Sequence, residues 1–347
     1  MTQILSRELL RALPKAELHC HLDGSVRPGT LIELGKEYVR PMPAADAESL
    51  ADFMVVRDAR HLEDYLARFD ITLSVMQRAE ALERITYELM EDCAADGVRY
   101  LEIRYAPVLN VREGLSLGEA VEAPLRAIAR AERDHDIIGR VIITALRNMS
   151  VDVSLELARL AVSYRDRGVV GFDLAGGEAG NPAAKHAAAF AYAREHDLAV
   201  TVHAGEGAGA ESVRQAVHVC GANRIGHATH LIDDPSLTAY VSDRRIALEI
   251  CLTSNVQTRA AADYESHPLR AYYDAGLNVV LNTDNRLMSG TTLTDEYWHA
   301  ASRLDFTFDE LAGVALNGFE SAFLPWPARV ALLERASGEI LTLGAAR

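Results

Sequence analysis

Residues 16–22, AELHCHL, form the first of eight short strand-like segments that recur along this chain of 347 residues. Most of these segments are separated by stretches with the apolar spacing of amphipathic helices, such as residues 154–165 and 183–196. Several are apolar over most of their length, which is typical of parallel strands buried on both faces. The predicted strands are residues 16–22, 99–105, 140–146, 171–175, 199–203, 224–228, 246–251 and 278–282.

Eight strands that alternate with helices predict a (β/α)₈ TIM barrel, and we expect residues 1–347 to form one domain. The connection after the first strand, residues 23–98, is long and carries helix-like runs at 62–76 and 80–95, which predicts a helical insertion. Residues 309–341 predict extra C-terminal helices. A doubly wound open sheet is the alternative fold. That fold would want a glycine-rich phosphate turn after its first strand, where this chain reads HLDGSV.

The charge balance limits the class of partner. Lys and Arg number 35 and Asp and Glu number 50, which gives a net charge of −15. This argues against a nucleic acid, because such binding depends on Lys and Arg contacts to phosphates, but not against a nucleoside. The four cysteines form no CxxC pair, and no apolar run approaches a signal peptide or the ~18 residues of a membrane span. The sequence therefore predicts a cytoplasmic protein with no membrane partner.

The first predicted strand ends in His19-Cys20-His21. Side chains alternate across a strand, so His19 and His21 point to one face and could hold a metal together. An isolated HxH is, however, also explained by a pair of structural histidines.

Two further strand ends carry groups of the same kind. The fifth predicted strand ends at His203 and is followed by Glu206, and Asp284 follows the eighth. Taken alone, a Glu in a loop is an ordinary exposed residue, and an Asp after a strand is most often a helix N-cap.

The positions become informative together, because all strand C-termini of a barrel open on the face that holds the active site. Strands 1, 5 and 8 would deliver three imidazoles and one carboxylate to that face. This set suits one Zn²⁺ per chain, with a place left for water. The predicted zinc ligands are His19, His21, His203 and Asp284.

Other groups would reach the same face. His227 ends strand 6 and could orient a water or accept its proton, whereas we expect His230 to be structural. A partly desolvated Glu206 can stay protonated and act as a general acid. Strand 4 reads GFDLA and lacks the lysine of binuclear barrel hydrolases, and the H-x-E and P-C-x-x-C signature of cytidine deaminases is missing.

These motifs together resemble the adenosine deaminase family of the metal-dependent amidohydrolase superfamily. They occur in the family's order and span most of the chain. The matching stretches are PKAELHCHLDGSVRP from Pro14, YLEIRYAP from Tyr100, GFDLAGGE from Gly171, TVHAGEG from Thr201, RIGHATHL from Arg224, LEICLTSN from Leu248 and LNTDNRL from Leu281.

The resemblance implies a zinc barrel that deaminates an adenine ring at C6, with the four predicted ligands in the family's metal positions. It implies that Glu206 protonates N1 and that His227 and Asp284 act beside the attacking water. The remaining matched positions imply substrate contacts. They are Asp23 at the sugar 5′-hydroxyl, Gly176 at N3 through its backbone, and His21 beside the substrate.

One position departs from the family pattern, because many members read TDD where this chain reads Thr283-Asp284-Asn285. The second acid of that motif faces N7 of the purine. N7 is an acceptor, so a carboxyl must be protonated to bond it, whereas Asn285 can donate through its amide at any pH. The chemistry is preserved, but the choice of substrate is left open.

The predicted function is hydrolytic deamination of adenosine and 2′-deoxyadenosine in purine salvage. Within the same class, the alternatives are another 6-aminopurine, such as 6-amino-6-deoxyfutalosine of menaquinone synthesis, or free adenine. A catalytically silent binding relative is the alternative from another class, although every matched catalytic position holds a competent residue.

Overall fold

The computed structural model describes residues 5–56 and 68–345. Its eight strands follow one another around a single sheet, and each pairs in parallel with the next in chain order. The strands are β1 (Lys15–His21), β2 (Val98–Tyr105), β3 (Ile138–Leu146), β4 (Val169–Ala175), β5 (Ala199–Ala204), β6 (Arg224–His227), β7 (Ala247–Ile250) and β8 (Val279–Leu281).

The sheet closes on itself where β8 meets β1. The residue that closes it is Asp284, whose N–H donates to the carbonyl of His19 at 3.0 Å and whose carbonyl accepts from the N–H of His21 at 2.7 Å. The (β/α)₈ barrel is therefore confirmed, and each predicted strand is present with its ends shifted by at most a few residues. The assignment of residues 1–347 to one domain stays a prediction.

Helices surround the barrel and fill both predicted insertions. Those between β1 and β2 are Pro28–Glu37, Ala47–Met54, Phe69–Val75 and Ala79–Ala95. Those between β2 and β8 are Leu117–Asp134, Val151–Ser163, Ala187–Glu195, Ala210–Gln215, Pro235–Asp243, Leu252–Gln257 and Leu269–Asp274. The helix before β1 is Arg7–Ala12, and those after β8 are Arg286–Ser289, Leu293–Arg303, Phe308–Ser321 and Trp326–Ala345.

Two predicted helices differ from the structure. The run at 62–76 lies partly outside the described residues, and its described part contains Phe69–Val75. The run at 183–196 begins with a 3₁₀ turn, Ala183–His186, before the α-helix Ala187–Glu195. The buried His186 side chain bonds Ser154 Oγ at 2.7 Å, which ties this first turn to the preceding helix. Tight turns of this kind are common at helix N-termini.

Charged side chains cross the interior of the barrel. Arg104 of β2 donates to Glu249 of β7 at 2.9 Å, and Arg224 of β6 donates to the same carboxylate at 2.6 Å. Arg224 also pairs with Glu102 of β2, and Arg104 lies 3.5 Å from Asp173 of β4. Three of these four pairs join strands that are not neighbours in the sheet, so their contacts span the lumen, whereas Arg224 and Glu249 lie on the adjacent strands β6 and β7. All five side chains are almost completely buried.

The chain's cysteines and helices add two findings. All four cysteines are buried and unpaired. Among the described residues, no helix combines the length and apolar character needed to cross a bilayer.

We expect Glu102→Ala to lower the free energy of unfolding by about 3–5 kcal/mol, since it removes one partner of a buried ion pair. The change also leaves the hydroxyl of Tyr100 and the N–H of Phe323 without their acceptor. Urea unfolding followed by tryptophan fluorescence measures the loss. Glu83→Ala is the control, because the ion pair of Glu83 with Arg126 is partly exposed and should contribute at most about 1 kcal/mol. Equal losses in the two variants would contradict a stabilising role for the interior charges.

Candidate active site

Four potential metal ligands meet at the carboxyl ends of β1, β5 and β8. One ligand atom from each of His19, His21, His203 and Asp284 lies within 4.8 Å of all the others. Nε2 of His21 is 3.1 Å from Nε2 of His203, and Oδ1 of Asp284 is 3.3 Å from Nε2 of both His19 and His21. The ligands of a tetrahedral ion bound at 2.0–2.1 Å lie roughly 3.3 Å apart, so the spacing fits one metal ion.

The hydrogen bonds behind these ligands leave their metal-binding atoms free. Nδ1 of His19 donates to Glu249 at 2.9 Å, and Nδ1 of His203 donates to Asp173 at 3.1 Å. Each ring therefore presents Nε2 to the cluster, as metal-bound histidines with a carboxylate partner do. Nε2 of His19 is buried and has no hydrogen-bond partner. Burial, the main cause, lowers the pKa of His19 to about 4, so the ring is neutral and offers a lone pair at pH 7.

The carboxylate ligand is held in the same way. Ser254 Oγ donates to Oδ2 of Asp284 at 2.6 Å, which leaves Oδ1 directed at the histidines. The Asp284 side chain is therefore a member of the cluster, and the helix N-cap that an isolated Asp would suggest is not its role, because no side-chain cap bond is made at the start of Arg286–Ser289.

The backbone at the barrel mouth is strained at and next to residues whose side chains lie in or beside the cluster. Asp284, His227 and Ala228 have φ of 61°, 63° and 54°, in the left-handed region that residues with a Cβ avoid. Main-chain bonds hold them there, among them the N–H of Ala228 to the carbonyl of Ala204 at 3.1 Å. Strain of this kind collects at functional sites, where the surrounding structure enforces it.

Glu206 and His227 lie side by side next to the ligand cluster. Oε2 of Glu206 is 3.5 Å from Nε2 of His227, and the His227 ring centroid is 4.9 Å from that of His19. Both side chains are almost fully buried. Burial raises the pKa of Glu206 and outweighs the opposing effect of His227, which favours the protonated carboxyl that a general acid needs.

A chain of hydrogen bonds places the hydrogen of the His227 ring. The N–H of Leu269 donates to Nδ1 of His267 at 3.1 Å, so Nε2 of His267 donates to Oδ1 of Asn255, also at 3.1 Å. The amide of Asn255 then donates to Nδ1 of His227 at 3.0 Å. Nε2 of the His227 ring therefore carries the hydrogen and faces Glu206. No motif pointed to His267, and Asn255 appeared only as the last residue of a matched stretch.

The predicted substrate contacts follow β1, β4 and β8 at the same mouth. Asp23 is 7% exposed, its Oδ1 has no hydrogen-bond partner, and burial raises its pKa to about 7. Asn285 is 2% exposed, and its Oδ1 is likewise unpartnered. Gly176 is half-buried, and its φ of 92° lies in the region that favours glycine.

Gly24 is a further residue that sequence reasoning missed. A Cβ at this position would lie 1.7 Å from Oδ1 of Asn285. A glycine is therefore required for the Asn285 side chain to lie where it does. His230 is half-exposed and bonds Asp233 at 3.0 Å, in keeping with the structural role expected for it.

Comparisons with known proteins agree with this geometry. The family model described as adenosine deaminase matches residues 14–338. The adenosine deaminase of Mycobacterium avium (strain 104) is 40% identical over 356 residues, covering 96% of this chain and 97% of that protein. Adenosine deaminase 1 of Streptomyces coelicolor is 41% identical over 346 residues, covering 94% of this chain and 87% of that protein.

Solved structures share the fold at lower identity. The adenine deaminase of Arthrobacter aurescens superposes with a TM-score of 0.87 at 28% identity, covering 94% of this chain and 98% of the other. An amidohydrolase of Burkholderia ambifaria with bound Zn has a TM-score of 0.88 at 27% identity, covering 99% of this chain and 95% of the other. The N6-mAMP deaminase of Arabidopsis has a TM-score of 0.85 at 28% identity, covering 95% of this chain and 99% of the other.

The family match spans most of the chain, the full-length relatives are well above 30% identical, and the four predicted metal ligands meet in one cluster. The resemblance read from the sequence is thus confirmed, and this chain belongs to the adenosine deaminase family and is a deaminase hydrolase.

Proposed function

We propose that this protein is a zinc-dependent enzyme of purine salvage in the cytoplasm that converts adenosine and 2′-deoxyadenosine to inosine and 2′-deoxyinosine with release of ammonia. The observation that carries the proposal is the placement of a buried Glu206 and His227 directly beside the four-ligand cluster. A general acid next to a metal site at a barrel mouth is what hydrolysis of an aromatic amidine requires.

One Zn²⁺ per chain would be held by His19, His21, His203 and Asp284. Three imidazoles and a carboxylate suit this borderline ion, and the related amidohydrolase structure contains Zn. When bound, the ion supplies Lewis-acid activation that lowers the pKa of water at the site towards about 7.

The chain's own residues then perform the proton transfers. Asp284 accepts a proton from the attacking water, and Nε2–H of His227 orients that water against C6. Glu206, kept protonated by burial, donates to N1 of the purine, which makes C6 electrophilic. Addition at C6 then breaks the aromaticity of the six-membered ring. The water oxygen adds to C6, and the proton held by Asp284 passes to the amino group. The C6–N bond then breaks, ammonia leaves, the C6 hydroxyl returns its proton to Glu206, and the product carries an oxo group at C6.

The unpartnered groups at the mouth suit the rest of a nucleoside. Oδ1 of the buried Asp23 can accept from a sugar 5′-hydroxyl. The NH₂ group of the Asn285 amide can donate to N7. The backbone of Gly176 would contact N3, and His21 would lie against the substrate. A 5′-phosphate would bring negative charge against Asp23, which favours nucleosides over nucleotides.

Free adenine is the second candidate substrate, because an adenine deaminase is among the structures that share this fold over nearly the whole chain. Adenine has no sugar to satisfy Asp23. The nucleoside therefore accounts for more of the buried polar groups, and 6-amino-6-deoxyfutalosine would have to meet the same groups.

A substrate panel followed by ammonia release tests the proposed function. We expect adenosine and 2′-deoxyadenosine to have a higher kcat/KM than adenine, 6-amino-6-deoxyfutalosine and AMP. 7-Deazaadenosine, which lacks the N7 acceptor, should lose about 1–3 kcal/mol of transition-state stabilisation because the Asn285 donor stays unpaired. A preference for adenine or the futalosine would reassign the substrate, and no turnover of any purine would favour a silent binding relative.

We expect His203→Ala and Asp284→Ala to abolish activity through loss of the metal while the barrel stays folded. Each removes one of four converging ligands, and neither belongs to the interior ion pairs between arginine and carboxylate. Metal analysis beside circular dichroism is the measurement. His230→Ala, outside the cluster, is the control and should keep its zinc. A fully active His203→Ala protein with one equivalent of zinc would remove His203 from the ligand set.

We expect Glu206→Gln to fold and bind metal but to lose kcat by about 10²–10⁴-fold, because an amide cannot deliver a proton to N1. Steady-state kinetics on adenosine at matched metal content measure the loss. Since Gln keeps the shape of the side chain, the substrate KM should change much less than kcat. A loss smaller than about 10²-fold would exclude Glu206 as the general acid.

A further inference from the structure

The loop that carries Glu206 is organised around another carboxylate, that of Glu178. Oε1 of Glu178 accepts from the N–H of Gly205 at 2.8 Å. Oε2 accepts from the N–H groups of Glu206 at 2.9 Å, Gly207 at 2.6 Å and Ala208 at 3.1 Å. Four consecutive backbone N–H groups thus converge on the side chain of one residue that is only 4% exposed.

This arrangement is a backbone nest whose anion comes from a different loop. Gly205 opens the nest with a φ of 76°, and a Cβ there would lie 2.7 Å from Val213 Cγ2. Both oxygens of the Glu178 carboxyl group are thus occupied as acceptors of backbone N–H groups. Glu178 therefore serves to hold the loop, and the acid role stays with Glu206.

A second contact ties the same two loops together. Arg147, at the end of β3, is 2% exposed and donates to the carbonyl of Asn181 at 2.6 Å and to that of His203 at 2.5 Å. Asn181 in turn donates from its backbone to the carbonyl of Glu178 at 3.1 Å and from its side chain to that of Gly177 at 3.1 Å. The loop after β4 is thus fixed to the end of β5 through Arg147 as well as through Glu178.

We propose that Glu178 is a positioning residue that holds the Glu206 carboxyl in place for proton transfer, by binding the loop after β5 to the loop after β4. The proposal rests on the acid role proposed for Glu206. Gly176, the proposed contact to N3, precedes Glu178 by two residues. N1 and N3 flank C2 of the six-membered ring, so one rigid unit would contact both atoms.

Positioning of this kind has a large kinetic effect, since a misplacement of about 1 Å can cost 10²-fold in rate. Glu178→Gln keeps the size of the side chain but turns an NH₂ group towards backbone donors. We expect kcat on adenosine to fall by about 10²-fold, with the zinc content and the far-ultraviolet circular dichroism of the parent retained.

A double-mutant cycle with Glu206→Gln separates positioning from general damage. If Glu178 acts through Glu206, Glu178→Gln should change kcat/KM by no more than about 2-fold in the Glu206→Gln background, which is the usual margin of additivity. Glu310→Gln is the matched control, since Glu310 also accepts a backbone N–H, from Thr307 at 2.8 Å, at a helix start outside the mouth. It should leave kcat/KM unchanged.

Equal fold losses in the two backgrounds, or parent-like kcat in Glu178→Gln, would overturn the proposal. Amide hydrogen exchange of residues 205–208 gives a readout without turnover: protection should be lost in Glu178→Gln and kept in Glu310→Gln. If Glu178→Gln loses this protection but the parent protein deaminates no purine, the proposed function is refuted. The binding of the loop after β5 by Glu178 is then still supported. If Glu178→Gln does not fold, Glu178→Asp repeats the cycle with the charge kept and the reach shortened.

Discussion

The mouth of the barrel depends on the hydrogen bonds and ion pairs of one carboxylate, that of Glu249, which is buried in the lumen. One of its oxygens accepts from His19 and from Arg104, and the other accepts from Arg224 and from Thr201 Oγ1 at 3.0 Å. It therefore fixes the ring orientation of His19, a potential metal ligand, and pairs with two buried guanidinium groups, which Asp173 and Glu102 also contact. A buried charge without such partners would be strongly destabilising, so the cluster and the core beneath it form one electrostatic unit.

At the top of the barrel, a single residue also has two roles. Asp284 closes the sheet through its main chain and faces the histidines through its side chain, at a φ of 61°. The strain is sustained because both of its peptide groups are bonded to β1. Pre-organisation at this mouth is therefore a property of barrel closure, which explains why the ligands need no flexible loop to bring them together.

The sequence predicted the barrel and the residues that meet at its mouth, because these depend on strand periodicity and on which strand end a residue follows. His19 and His21 are an example, since alternation alone places them on one face. The supporting contacts could not be found that way. Glu178 binds backbone N–H groups 27–30 positions away, and such donors carry no residue signature. His267 and Gly24 act through a single neighbour each, and no spacing rule connects either of them to that neighbour.

The closure of the barrel between its first and last strands also sets an order of assembly. His19 and His21 stand on one side of that seam and Asp284 on the other, and β8 is only three residues long. During synthesis, the ribosome releases the histidines long before the aspartate exists. A nascent chain can thus offer imidazoles to stray ions, but the full set of four ligands appears only once the last strand has docked. Ion capture in this fold would report that the barrel has closed.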